Sequence, residues 1–222
     1  VAPHSLICVP QLLDVINGLV SAGCYPAADQ LKFVAVGGGK VSHQALVRSR
    51  QLGVPVFEGY GLSECFSLVT LNLPNARRAG SVGRALPHAN VRISPSGEVE
   101  IAGVRMTGYL HAEPNRDAWY CTGDLGHIDD DGYLHIDGRK RDVFINAYGR
   151  NVDPVWVEAE LAAHGVIRRA LVFGEAQPNC SALLWAQGDA SQSAIENAVA
   201  AANLHLPDYA RVEKWTLIEA AF

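Results

Sequence analysis

No Cys-x-x-Cys pair occurs in these 222 residues, and the five cysteines, Cys8, Cys24, Cys65, Cys121 and Cys180, are scattered and odd in number. That pattern argues against a disulfide scaffold or a zinc cluster and fits reduced thiols, so a cytoplasmic protein is expected. The eight histidines are as dispersed, and none pairs with another at metal-ligand spacing on one helix face. Positive charge is not in excess. The formal net charge of -5 argues against nucleic acid or an anionic membrane as the main partner. No apolar run reaches transmembrane length, so no membrane span is expected. The opening Val1-Ala2-Pro3-His4 has neither a Met nor a basic region and does not read as a signal peptide. The chain is expected to be an internal piece of something longer.

What is present is apolar material for a core, 49% of the residues, in a chain long enough for one large domain or two small ones. Ser5–Val9 reads as a short buried strand. Pro10 opens a helix, since proline suits a first turn, and Gly23 ends it. Leu12, Leu13, Ile16, Leu19 and Val20 fall on one face at helical spacing and are expected to be core. Leu31–Val36 is a second strand, followed at once by Gly37, Gly38 and Gly39, where the backbone can take left-handed angles and approach a ligand closely. Ser42 caps a helix to about Gln51, Gly53 stops it, and Val54–Phe57 is a third strand. This alternation predicts a mostly parallel piece of α/β sheet over residues 1–79, with ligands beyond the carboxyl ends of its strands.

From Gly80 to Asp137 short strands are broken by Gly and Pro. Asn90–Ser94 and Glu98–Ile101 are the clearest, with turn signals at Ser96-Gly97 and Asp130-Asp131-Gly132. A small antiparallel β subdomain is expected there. The cationic run Gly138-Arg139-Lys140-Arg141-Asp142 reads as a joint. After it, Asp153 caps a helix with Pro154 at its first position, Val157 and Leu161 face inward, and Gly165 ends it. Strands at 167–173, 181–186 and 211–218 and a helix at 191–204 complete a small α+β domain. The expected fold class is thus α/β plus α+β: a large-domain portion over 1–138 and a small mobile domain over 139–222.

Two glycine-bearing loops flank the chemistry. In Gly59-Tyr60-Gly61-Leu62-Ser63-Glu64, an aromatic between glycines can lie against a flat ring. The hydroxyl and carboxylate that follow can hold Mg²⁺ and the phosphates it bridges. A tight turn capped by Ser63 explains the same residues. In Tyr120–Leu125, Asp124 can accept two ribose hydroxyls, or bond its own backbone in a turn. Arg139 offers a planar fork to a sugar or phosphate oxygen, or is a surface cation. Gly149 is a smooth wall for a thin substrate arm or an ordinary turn glycine. Glu158 reads as a solvated or salt-bridged helix residue. No nucleophile elbow and no P-loop is found.

Five ordered stretches carry more than any one: Gly37-Gly-Gly-Lys-Val-Ser42, Tyr60-Gly-Leu-Ser-Glu64, Gly97-Glu-Val-Glu-Ile-Ala-Gly103 with Gly108-Tyr109, Thr122-Gly-Asp-Leu125 and Gly138-Arg-Lys-Arg-Asp142. Together they resemble the adenylate-forming superfamily of acyl- and aryl-CoA synthetases, peptide-synthetase adenylation domains and luciferase. Val143–Glu158 is most similar to the long-chain acyl-CoA synthetase branch. The resemblance implies that Tyr60 stacks on adenine, that Gly37, Gly38 and Gly39 line the adenine and acyl pocket, and that Gly61 and Ser63 lie at the nucleotide. Ser63 stands where the family usually has Thr. It further implies Glu64 on Mg²⁺, Asp124 and Arg139 on the ribose, Arg141 at the hinge, and Gly149 beside the pantetheine tunnel. The implied chemistry joins a carboxylic acid, fatty in the branch named, to ATP as acyl-AMP and passes the acyl group to coenzyme A. Acceptance by a carrier-protein pantetheine arm, and a non-catalytic homologue that binds nucleotide (ATP or AMP) or acyl-AMP without turnover, remain open alternatives. The family's phosphate loop and adenylation lysine are not in this chain, so the 222 residues alone are expected not to adenylate.

Overall fold

The computed structural model describes residues 3–25, 30–111, 113, 117–188 and 190–219. The last three residues of the stretch ending at Phe222 lie outside them. The chain divides into two compact units, residues 1–41 with 45–140 and residues 42–44 with 141–222.

The first unit begins with β1 (Ser5–Cys8), α1 (Pro10–Ser21), β2 (Phe33–Val36), α2 (His43–Gln51, of which residues 45–51 belong to this unit) and β3 (Val56–Leu62). Strands β1, β2 and β3 lie side by side in parallel. Then β4 (Ser67–Leu71) and β5 (Arg84–Ala85) add two antiparallel strands, giving the order β1-β2-β3-β4-β5. One face of the sheet buries Leu13, Ile16, Val34 and Val36. The other buries Ala35, Phe57 and Leu71, with Phe33 stacked on Phe57 at 4.9 Å. Fully buried Asn17 of α1 accepts from Ser49 Oγ of α2 at 3.0 Å, so the two crossover helices share a satisfied polar link inside the core.

The apolar stripe expected on α1 is in fact two stripes. Leu13, Ile16 and Val20 face the sheet, whereas Leu12 and Leu19 are each 45% exposed and Val15 is 54% exposed. Positions 12, 15 and 19 and positions 13, 16 and 20 each follow helical spacing, offset by one residue, so they lie about 100° apart around the axis.

A second, antiparallel sheet follows: β6 (Ala89–Ile93), β7 (Glu98–Gly103), β8 (Tyr120–Ile128) and β9 (Leu134–Arg139), in that order. Gly83 stitches it to the first. Val82 N–H donates to Leu134 O at 2.8 Å and Leu134 N–H to Gly83 O at 2.9 Å. Gly83 has φ +89, and a Cβ there would lie 1.9 Å from the Leu71 carbonyl carbon, so only glycine fits. Cys65, Val69, Ala89 and Ile101 make the shared core of the two sheets, with Tyr60 and Tyr120 packed against it.

The second unit has a hairpin of β10 (Phe144–Ile145) and β11 (Asn151–Val152), then α3 (Pro154–Ala162), β12 (Ile167–Phe173), β13 (Cys180–Ala186), α4 (Gln192–His205) and β14 (Val212–Leu217). Its sheet runs β12-β13-β14, antiparallel then parallel. Asp153 caps α3 through Val155 N–H, and Ser191 caps α4 through Ala194 N–H. Ile195, Ala198, Val199 and Ala202 are the buried stripe of α4, packed with Val157, Leu161, Ile167 and Leu184.

Candidate nucleotide site

Both stretches expected to be loops are strands. Gly59 to Leu62 is the second half of β3, paired with β4 from Gly59↔Leu71 to Leu62↔Ser67. Tyr120 to Leu125 is the first half of β8. The glycines around Tyr60 therefore serve a neighbouring strand. A Cβ on Gly61 would sit 1.5 Å from Ser67 O, and one on Gly59 would sit 2.7 Å from Leu68 Cδ1 and 3.0 Å from Thr70 O. The price of so tight a return is local strain: Phe66 and Ser67, neither of them glycine, take φ of 56° and 90°.

That return places three site side chains together. The Tyr60 hydroxyl donates to Asp124 Oδ2 at 2.5 Å, and Arg139 Nε lies 2.9 Å from Asp124 Oδ1. Arg139 also donates from Nη1 to Thr122 O at 3.1 Å. The register Asp124↔Arg139 across β8 and β9 puts acid and base side by side. Asp124 is only 5% exposed. Burial pushes its carboxyl up, and the Tyr60 hydrogen bond and the Arg139 charge pull against that. Burial, then the neighbouring Asp124 charge, hold Tyr60 firmly as a neutral phenol. Each carboxylate oxygen keeps a second lone-pair site for a ligand hydroxyl.

Glu64 lies in a single 3₁₀ turn, Ser63–Cys65, between β3 and β4. Its Oε1 accepts from the Tyr109 hydroxyl at 2.7 Å, which itself lies 3.4 Å from the Tyr120 hydroxyl. The Tyr109 bond, with a smaller contribution from Arg139, holds Glu64 below the usual carboxylate range. No group of three His, Cys, Asp or Glu able to hold a metal occurs among the described residues. A single carboxylate fits Mg²⁺, which is commonly held by one or two carboxylates plus substrate phosphates. Ser63 is exposed beside it. Gly37 ends β2 against this region: a Cβ there would lie 2.9 Å from Gly59 O. Gly38 needs its φ of +75, and a Cβ on Gly39 would lie 3.5 Å from the Pro10 ring.

Arg141 and Gly149 belong to the second unit. Arg141 Nε pairs with Asp142 at 3.3 Å on the surface. Gly149, with φ +71, closes the β10–β11 turn, which the buried Asn146 side chain organises by accepting from Tyr148 and Arg150 N–H. Glu158 is not solvated. It is half-buried and caps the edge of β12 by accepting from Val172 N–H at 2.9 Å, with its carboxyl raised by burial.

Two acids escaped the sequence reading. Glu58, two residues before Tyr60 on the same face of β3, lines a cavity of about 270 Å³ with Leu46, Arg50, Asn72, Arg77 and Arg78. Burial pushes it up to about 7 against the pull of Lys40 and Arg50. A charge inside an otherwise apolar strand was its only signal. Glu98, at the start of the strand-like stretch Glu98–Ile101, is the second.

A parallel α/β sheet, an antiparallel sheet sharing its core, and a separate α+β unit, with tyrosine, aspartate and arginine joined where the two sheets meet, define the class: the fold is that of adenylate-forming enzymes. Residues 1–113 match the family profile described as AMP-binding enzyme, and residues 141–221 match AMP-binding enzyme C-terminal domain. The chain belongs to the AMP-binding enzyme family. It is 40% identical over 141 residues to a long-chain-fatty-acid–CoA ligase, FadD15, of Mycobacterium bovis, covering 61% of this chain and 24% of that protein. It is 31% identical over 195 residues to a 2-succinylbenzoate–CoA ligase of Bacillus velezensis, covering 80% of this chain and 40% of that one. Among solved structures, an O-succinylbenzoate coenzyme A synthetase from Bacillus subtilis, in complex with ATP and magnesium ion, superposes with a TM-score of 0.77 at 23% identity, over 97% of this chain and 48% of that one. The chain therefore spans between a quarter and a half of these relatives. No helix among the described residues is long and apolar enough to cross a membrane.

Proposed function

We propose that this chain is the nucleotide-holding and small-domain portion of an ATP-dependent acid–thiol ligase. The activity joins a carboxylic acid to AMP and passes the acyl group to coenzyme A. The observation that carries the reading is the buried Asp124 carboxylate, clasped by Tyr60 and Arg139. In the first half-reaction a carboxylate oxygen bonds to the α-phosphorus of ATP as the bond to pyrophosphate breaks. In the second, the thiol bonds to the acyl carbon, AMP leaves and the thiol proton is lost.

Asp124 accepts the two ribose hydroxyls, the Arg139 charge favours its ionised form, and Tyr60 presents its ring to adenine. Gly37, Gly38 and Gly39 leave room beside that ring. Ser63 contacts phosphate. Glu64 would hold Mg²⁺, which neutralises phosphate charge when bound. Arg141 is the hinge and Gly149 borders the path of the pantetheine arm. A fatty acid is the favoured substrate class, because the chain is 40% identical to a long-chain-fatty-acid–CoA ligase and 31% identical to a 2-succinylbenzoate–CoA ligase. Carboxylate-dependent ATP–pyrophosphate exchange tests the reading, run on the reading frame extended in both directions with long-chain, short-chain and aromatic acids. Exchange with a long-chain acid, lost in Glu64→Ala and Asp124→Ala, is expected. No exchange with any acid, from folded protein that binds AMP, would favour a binding module instead.

A further inference from the structure

The ladder between β7 and β8 breaks at the candidate site. Glu100 pairs with Cys121 and Glu98 with Leu125, so Val99 alone stands opposite Thr122, Gly123 and Asp124. Such a bulge can re-aim a side chain, and it leaves backbone groups that the ladder no longer satisfies. Side chains satisfy them here. Thr122 Oγ donates to Val99 O at 2.8 Å and accepts from Asp124 N–H at 3.1 Å. Gly123, with φ +75, donates its N–H to Glu98 Oε1 at 2.9 Å.

Glu98 is only 9% exposed and uses its second oxygen too: Lys140 Nζ lies 2.9 Å from Oε2. The main-chain N–H of Lys140 donates to Gly123 O at 2.8 Å. Both polar groups of Gly123 are therefore held by the Glu98–Lys140 pair, one residue before Asp124. Lys140 is also the last residue of the first unit. That ion pair keeps Glu98 below the usual carboxylate range and raises Lys140, so the clamp is charged at neutral pH.

We propose that Glu98, locked by Lys140, is a positioning residue that sets where the Asp124 carboxylate stands and hence how tightly a ribose diol is held. This rests on reading Asp124 as the ribose acceptor. The bulge leaves the Asp124 side chain no sheet register of its own on the β7 side, and Glu98 supplies the missing constraint.

The test is calorimetric binding of AMP and of 2′,3′-dideoxy-AMP to this chain, which separates diol recognition from the rest of the nucleotide. Glu98→Ala is expected to weaken AMP about tenfold, the lower end of what losing an outer-shell partner costs, and to change dideoxy-AMP less than about twofold. Glu98→Gln keeps an oxygen for Gly123 N–H and is expected to retain most of the AMP preference. Asp124→Ala is expected to abolish it. Equal weakening of both nucleotides in Glu98→Ala, or none, overturns the proposal while leaving the Asp124 reading intact. A parent chain that binds both nucleotides alike overturns the Asp124 reading, and this proposal with it.

Should Glu98→Ala not fold, Lys140→Met keeps a half-exposed position filled and removes only the lock. It is expected to weaken AMP selectively, and to shift the Gly123 amide resonance in a nitrogen–proton NMR spectrum. An unmoved amide and unchanged AMP affinity overturn the proposal by that route.

Discussion

Asp124 and Glu58 show how carboxylates on two strands of different sheets come to behave differently. Asp124, 5% exposed, is matched by a phenol and a guanidinium, while Glu58 is pulled by the charges of Lys40 and Arg50. Burying its charged form therefore costs stability. The folded-state carboxyl is raised from 4.5 to about 7. Below the unfolded value both states are protonated and no cost arises; the cost grows as pH rises through the folded value. Glu58→Gln is accordingly expected to match the parent in melting temperature near pH 4 and to exceed it at pH 8, as thermal unfolding across that range would show. Tyr60→Phe removes a hydrogen bond that holds the Asp124 carboxyl down. On the proposed role of Asp124, the loss of AMP affinity on acidification should then begin at a higher pH than in the parent.

At the scale of elements, the β3–β4 return is the least forgiving feature. Its glycines are set by backbone contact, so Gly61→Ala must push apart two strands that the site needs together. A loss of about 3 kcal/mol or more is expected by chemical denaturation, the upper range for overpacking. The helix caps are ordinary by comparison. Ser191→Ala frees the N–H of Ala194 at the start of α4 and should cost about 1 kcal/mol.

At the scale of the molecule, each unit has its own buried core, with Leu184 central to one and Leu13 to another. Each is fully buried, and a Leu→Ala change at either is expected to cost about 2–5 kcal/mol. Scanning calorimetry should show Leu184→Ala lowering the transition of the second unit and Leu13→Ala that of the first. The chain spans only part of its relatives' length. On the proposed function, a chain that covers a quarter to a half of such ligases is expected to give no pyrophosphate exchange by itself, even where it binds AMP.

The alternation of apolar runs with Gly, Pro and capping residues determined the order of strands and helices, because periodicity and capping are local. Asp153 caps the helix it was expected to cap, and Ser191 caps the helix expected from residue 191. The ordered motifs likewise made the family legible. What local pattern could not show is which backbone runs beside which. Gly59 and Gly61 read as space for a ligand until β4 is seen filling it, and Gly37 until Gly59 O is seen against it. Leu12 and Leu19 read as core until the sheet is seen to take the adjacent stripe. Glu58 and Glu98 drew no role from the sequence, because burial and the reach of Lys140 depend on residues distant in the chain. The tertiary structure alone decided these points, since contact across sheets, not spacing along the chain, sets the room and the charge each side chain meets.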